Sequence, residues 1–292
     1  MATGRPDDPF MTCGIQFPTL NANEQAFEGE RQDNGIISID PGDKIALAAE
    51  ISETEALKPR NLNEAKSRPD WPLWEKAIED ELGQLEVAGT WKLINAPEGA
   101  NIVGSKWVFC AKKDTNGKVV CYKAHLMAQG FSQVPGVNYF DTFIPVARLS
   151  SIWVVLAITA VEDFEIHQID IKGAYLNGVL TAEEMIYMKQ LPGYSIPNSS
   201  GKVCCLQKTL YGLKQSGHRW YQRLVEIMVD GLGFKRSDVD QAVFYRHENV
   251  LLIIVLVHVD DCTIAANKLS VIQKFKIEIA KYVEITDLGE LH

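Results

Sequence analysis

The sequence lacks several things, and each absence removes a class of protein. No apolar stretch approaches the ~20 residues that span a bilayer, so no membrane helix is expected. No secretory leader opens the chain, and none of the six cysteines, at 13, 110, 121, 204, 205 and 262, forms a C-x-x-C pair. A zinc framework is therefore not expected, and unpaired thiols in a reducing compartment are. Positive charge is also short: 29 Lys and Arg face 38 Asp and Glu, for a formal net charge of −9. That balance taken alone argues against a nucleic-acid partner. Together these absences lead to the expectation of a soluble, intracellular protein in a reducing compartment; what is present says more.

Charge is distributed unevenly. Residues 1–60 carry eleven acidic against five basic side chains, with scattered Gly, Pro and Asn and no sustained period, and are expected to be a disordered acidic leader or linker. Residues 101–130 reverse the sign, with Lys106, Lys112, Lys113, Lys118 and Lys123 against Asp114 alone. Local potential steers ligands, so this basic stretch outweighs the global sum. A hydrophobic content of 46% over 292 residues supports a real core, and the ordered part is expected over 61–292.

Order begins at PDWPLWEKAIEDELGQLEVAGTW. Asp70 can cap a helix, Pro72 suits its first turn, Trp74, Ile78, Leu82 and Leu85 make its apolar stripe, and Gly89 stops it. The lysine-rich stretch alternates like two strands around Asp114-Thr115-Asn116-Gly117, a strong hairpin signal. An apolar helix is expected over roughly 150–162, then a strand in FEIHQIDIKGAYLNG with Asp170 near its end. Residues 207–232 suggest a loop entering a long helix, 250–266 a β-hairpin, and 270–282 another helix. Strands interleaved with long helices and an antiparallel hairpin indicate an α+β fold.

The hairpin VLLIIVLVHVDDCTIAA carries the chemistry. Two adjacent carboxylates, Asp260 and Asp261, project from a bend between strongly aliphatic strands, and their repulsion calls for a shared proton or a divalent cation. Hard oxygen ligands suit Mg²⁺, or Mn²⁺, which binds through one or two carboxylates plus substrate phosphates. Asp170, also at the end of an apolar strand, is the candidate third acid for a two-ion phosphoryl-transfer site. An unrelated phosphohydrolase using the same acids would need further ligands, for which only His167 and His258 lie nearby in sequence.

Ten segments, WEKAIEDEL, GTWKLI, GSKWVF, YKAHLMAQGFSQ, YFDTFIPVARLSSI, QIDIKGAYLNG, IYMKQLPGY, LQKTLYGLKQSGHRWY, VDD and DLGEL, occur in one order from about residue 70 to the end. In that order they resemble the reverse transcriptase of Ty1/copia-type long-terminal-repeat retrotransposons. The resemblance implies a right-hand polymerase with fingers and palm, an antiparallel palm sheet carrying the catalytic aspartates, and RNA- and DNA-directed DNA synthesis. By it, Asp170, Asp260 and Asp261 are catalytic and, with the Ile171 backbone, hold two Mg²⁺ ions. Lys112, Lys113, Lys123, His125, Tyr175, Tyr211, Gly212, Lys214 and Gln215 are implied to bind the nucleotide, Tyr175 excluding a 2′-hydroxyl. His258, Leu288, Gly289 and Glu290 are implied to hold the primer. Partners would be an RNA template, a DNA primer and deoxynucleoside triphosphates, with an upstream integrase and a downstream ribonuclease H in the intact polyprotein. The thumb or connection and the ribonuclease H are expected to be missing from this chain, and the intact element would work in a cytoplasmic virus-like particle.

Several positions depart from that pattern in one direction. His125, Trp153, Cys205, Cys121 and His218 stand where Arg is usual, and Met127 where Val is. Cys, His and Trp all lie one C-to-T change from CGN arginine codons, which suggests a coding sequence decayed by cytosine deamination. A catalytically inactive remnant with residual nucleic-acid binding is the alternative to a working polymerase.

Overall fold

The computed structural model describes residues 58–114, 117–194, 199 and 201–291. Nearly all of the expected acidic leader, and Thr115 and Asn116 of the expected hairpin turn, lie outside the described residues. The chain divides into two compact units, one running to Ile78 and including Val108–Ala124, the other made of Glu79–Trp107 and the residues from His125 onward.

In the first unit, helix α1 (Leu62–Ser67) is capped by Asn61, whose side chain accepts from the Glu64 amide at 3.0 Å. Helix α2 (Trp71–Val87) starts after Asp70. The Asp70 carboxylate is taken by the Arg68 guanidinium through two hydrogen bonds of 2.8 and 3.1 Å, which holds its pKa below the ordinary carboxylate value. Trp74, fully buried, meets Phe109 and Tyr122 edge to face at 5.3 and 4.6 Å between ring centroids. Those two rings stand on the paired strands β3 (Ser105–Lys113) and β4 (Val119–Ala128).

In the second unit the same helix runs on to Gly89, which ends it at φ +63° as expected. The inner stripe differs from the expected one. Leu82 is only half-buried, and the carboxylate of Glu81 takes the interior position. A backbone donor explains this: the Leu126 amide gives its hydrogen bond to Glu81 Oε1 at 3.1 Å.

Two sheets follow. A four-stranded one joins β1 (Trp91–Asn95), β7 (Lys202–Leu206), β6 (Tyr187–Met188) and β2 (Ile102–Val103) in that order, antiparallel except for the short β2–β6 pair. The six-stranded one runs β12 (Ile285–Glu290), β5 (Glu165–Ile171), β11 (Asp261–Ala266), β10 (Leu251–His258), β9 (Val243–Glu248) and β8 (Lys235–Arg236), with antiparallel pairing throughout. The fold is thus mixed α/β with antiparallel sheets.

Alternation along the strands sorts this sheet's side chains. Ile169, Ile171, Ile253, Val255, Val257 and Ile264 share one core with Trp220 and Leu224 of α4 (Ser216–Val225) and with Ile272, Phe275 and Ile279 of α5 (Leu269–Ile279). Ile254, Leu256 and Ala265 face the other way, onto Ala147 and Val155 of the segment that leads into and forms α3 (Leu149–Glu162). Beyond Val225 the α4 backbone widens into a π-helical turn over Glu226–Gly231. Among the described residues Cys121, Cys204, Cys205 and Cys262 are free thiols. Among the described residues no helix is long and apolar enough to cross a membrane.

Candidate active site

Antiparallel pairing sets the three aspartates. Strand β11 lies against β5 in a register that puts Asp261 directly opposite Asp170, so their side chains leave the same face of the sheet. On the other side of β11, His258 pairs with Asp261 and closes a two-residue turn made of Val259 and Asp260. The Ile171 amide donates to the Asp260 carbonyl at 2.8 Å and ties that turn to the end of β5. The sheet therefore gathers residues 170, 260 and 261 at one end, although some ninety positions separate the first from the others.

Burial pushes the Asp260 carboxyl up to about 6, with the backbone opposing and the negative charges of Asp261 and Asp170 adding to the rise. Asp261 is raised by burial first and by Asp170 second. Among the described residues no group of three His, Cys, Asp or Glu side chains is arranged so as to hold a metal ion. The donor chemistry nevertheless fits a hard divalent cation, which relieves like charges in a desolvated pocket and needs only one or two carboxylates when water and phosphate complete its shell.

The raised Asp260 value has a stability consequence. The folded chain keeps this proton up to about pH 6, while the unfolded chain releases it near the ordinary 3.8, so stability falls as pH rises through that window and stays lowered at 7. In metal-free buffer Asp260→Asn is expected to stabilise the fold at pH 7 by about 1–2 kcal/mol after allowance for solvent screening, and to flatten the dependence between pH 4 and 6. Thermal melting across that range measures both; an unchanged or lowered melting point at pH 7 contradicts the assignment.

A ring cluster stands beside the acids. Tyr175, in the 3-10 turn Ala174–Asn177 that follows β5, meets Tyr211 at 5.0 Å and 72°, and His125 lies 5.5 Å from Tyr211. Both phenols are pushed up, by burial first and by the Asp260 charge second. Glu81, 6% exposed, sends its second oxygen to within 3.5 Å of His125 Nδ1, yet that nitrogen makes no hydrogen bond among the described residues.

The loop TLYGLKQSG is fixed by backbone contact. Gly212 has φ +88°, and a Cβ there would stand 2.2 Å from the Ala128 carbonyl oxygen. A Cβ on Gly130 would stand 2.0 Å from the Gly212 oxygen, so this approach is possible only between glycines. Gln215 is fully buried: its Nε2 donates to the Asn138 carbonyl at 2.7 Å and its Oε1 accepts from Gln133 Nε2 at 3.0 Å. The Lys214 side chain is exposed, and its amide donates to Gln133 Oε1 at 2.8 Å. His258 is exposed beside the turn, and Leu288, Gly289 and Glu290 lie on β12, whose ladder to β5 carries a bulge between Asp287 and Gly289. Lys112, Lys113 and Lys123 belong to the first unit, on β3 and β4.

Sequence reasoning missed Glu81, Gln133, Asn138 and Trp220 as members of this neighbourhood. Glu81, Gln133 and Trp220 each carried a signal, lying in WEKAIEDEL, YKAHLMAQGFSQ and LQKTLYGLKQSGHRWY; Asn138, just before YFDTFIPVARLSSI, carried none.

Residues 88–292 match the family model described as Reverse transcriptase (RNA-dependent DNA polymerase). The chain is 37% identical over 249 residues to the retrovirus-related Pol polyprotein from transposon TNT 1-94 of Nicotiana tabacum, covering 85% of this chain and 18% of that protein. It is 32% identical over 265 residues to the corresponding polyprotein from transposon RE1 of Arabidopsis thaliana, covering 90% of this chain and 17% of the relative. For transposon RE2 of the same plant the figures are 31% over 288 residues, 98% and 19%. The chain thus spans less than a fifth of the length of each of these three polyproteins.

Proposed function

This chain belongs to the reverse transcriptase family, among copia-type transposon Pol polyproteins, and on that premise we propose that it is the fingers-and-palm part of an RNA- and DNA-directed DNA polymerase. One observation carries the proposal: the register that sets Asp170 opposite Asp261, with Asp260 in the adjoining turn. Asp170, Asp260, Asp261 and the Ile171 backbone would hold two Mg²⁺ ions, and Mn²⁺ would serve in their place. Bound there, the ions neutralise the triphosphate and lower the pKa of the primer 3′-hydroxyl.

The chain's own residues do the rest. Tyr175 offers a rigid ring, backed by Tyr211, against which a deoxyribose fits and a 2′-hydroxyl does not. Gly212 brings backbone close to the nucleotide, and the exposed Lys214 supplies charge to it. Gln215 serves this loop from inside, as the buried amide that links it to Gln133 and Asn138. Position 125 faces the same cluster and would contact the triphosphate. Lys112, Lys113 and Lys123 give the hairpin of the first unit a basic face suited to nucleic-acid phosphates. His258, Leu288, Gly289 and Glu290 would steady the primer terminus. Template and primer would be held largely through phosphates, hence with a strong salt dependence.

Extension of oligo(dT) on poly(rA) with Mg²⁺ and deoxythymidine triphosphate tests this. Metal-dependent incorporation above a no-protein control is the expected result; none even with Mn²⁺ and high triphosphate removes the activity. The unmade bond between Glu81 and His125 favours a second reading, an inactive remnant that keeps only nucleic-acid binding.

A further inference from the structure

Val259 is the first residue of the turn that carries Asp260, and it takes φ +61°. Asp260 keeps a negative φ, so the two-residue turn has a positive φ followed by a negative one, the pattern that ordinarily takes glycine first. A β-branched side chain is strained there and persists only where the surroundings impose it.

What imposes it is a pair of hydrogen bonds to successive carbonyls. The Asp260 oxygen is held by the Ile171 amide at 2.8 Å. The Val259 oxygen is held by the indole Nε1 of Trp220 at 2.7 Å. Trp220 is 1% exposed and sits on α4 in the same core as Ile169 and Ile171, so its donor is a fixed post and not a mobile surface group. The Val259 carbonyl belongs to the peptide between Val259 and Asp260, the central plane of the turn. Rotating that plane changes ψ of Val259 and φ of Asp260 together and so tilts the Cα–Cβ bond from which the Asp260 carboxylate extends.

We propose that Trp220 is a positioning residue for Asp260: its indole N–H locks the central peptide of the turn and so sets where the Asp260 carboxylate points. The inference rests on the reading of Asp170, Asp260 and Asp261 as a cation site. Trp220→Phe removes the donor and keeps most of the ring. Glycine at 259 favours the same turn without any hydrogen bond and restores none of the packing lost at 220.

Mn²⁺ binding to the full chain, followed by the electron paramagnetic resonance signal of the free ion with thermal melting alongside, separates the possibilities. Trp220→Phe is expected to weaken Mn²⁺ binding by about three- to tenfold, the worth of one hydrogen bond, and Val259→Gly added to it to recover most of the loss. Binding unchanged in Trp220→Phe overturns the inference, as does a double variant no better than the single one, whatever the melting points. A parent chain that binds no Mn²⁺ overturns the cation-site reading itself, and the inference with it.

Discussion

Arginine at position 125 is expected to raise deoxynucleotide incorporation, and affinity for the triphosphate, by about ten- to a hundredfold over the parent chain, the value of one charge-assisted contact to phosphate. The structural ground is Glu81. Its carboxylate is 6% exposed, one oxygen accepts from the Leu126 amide at 3.1 Å, and among the described residues the other faces the imidazole of His125 at 3.5 Å, whose Nδ1 makes no hydrogen bond. A desolvated carboxylate with so poor a partner is costly, and a guanidinium would offset it with a permanent charge. Its planar fork has donors to spare, so one edge can bond Glu81 while another turns toward the phosphates. Nitrocellulose filter binding and primer extension on His125→Arg beside the parent measure the gain. Equal binding and equal extension in the two proteins would refute the clamp and leave Glu81 as a structural acid.

The aspartate bend was legible because its flanks are so regular. Eight aliphatic positions before His258 and an apolar run after Cys262 leave little room for anything but paired strands, and the register His258 to Asp261 agrees with that expectation. The pairing of Asp261 with Asp170 was not legible from periodicity, since no local pattern specifies which distant strand lies alongside; the ordered motifs supplied it. The turn's backbone was hidden too. Turn chemistry expects Gly or Asn at a left-handed position, and Val259 owes its conformation to Trp220, which lies thirty-nine residues earlier in the chain.

Two polar residues show the same limit. Helical spacing nominated Leu82 for the interior of α2, but the amide of Leu126 needed an acceptor, and Glu81 moved inward to provide it. Gln215 looked like a donor to a ligand, yet both ends of its amide are used inside the fold by Gln133 and Asn138, 82 and 77 positions away. Buried polar networks are tertiary facts, and sequence spacing carries no record of them. Helix α3 errs in the opposite sense: it is apolar almost throughout, but Val155 and Thr159 are its buried residues, while Trp153 and Val161 are 63% and 81% exposed.

In the His125→Arg background, Asp170→Asn and Asp260→Asn are each expected to lower metal-dependent incorporation by at least about a thousandfold, ~4 kcal/mol of transition-state stabilisation. Asparagine keeps the size and hydrogen-bonding reach of the side chain and removes the charge that would hold a cation. The decisive comparison is with stability. A residue that supports the fold should lose both stability and activity when its charge is removed. Asp260, whose carboxyl is pushed up to about 6 by burial and by its acidic neighbours, should lose activity while the metal-free fold gains stability at pH 7. Incorporation should also fall on acidification, as protons compete with the cation for the Asp260 carboxylate. Primer-extension rates and melting curves on the same preparations test the divergence. Incorporation that survives either substitution, or activity and melting point that fall together at position 260, would mean that these acids serve the architecture of the sheet and not the chemistry proposed for it.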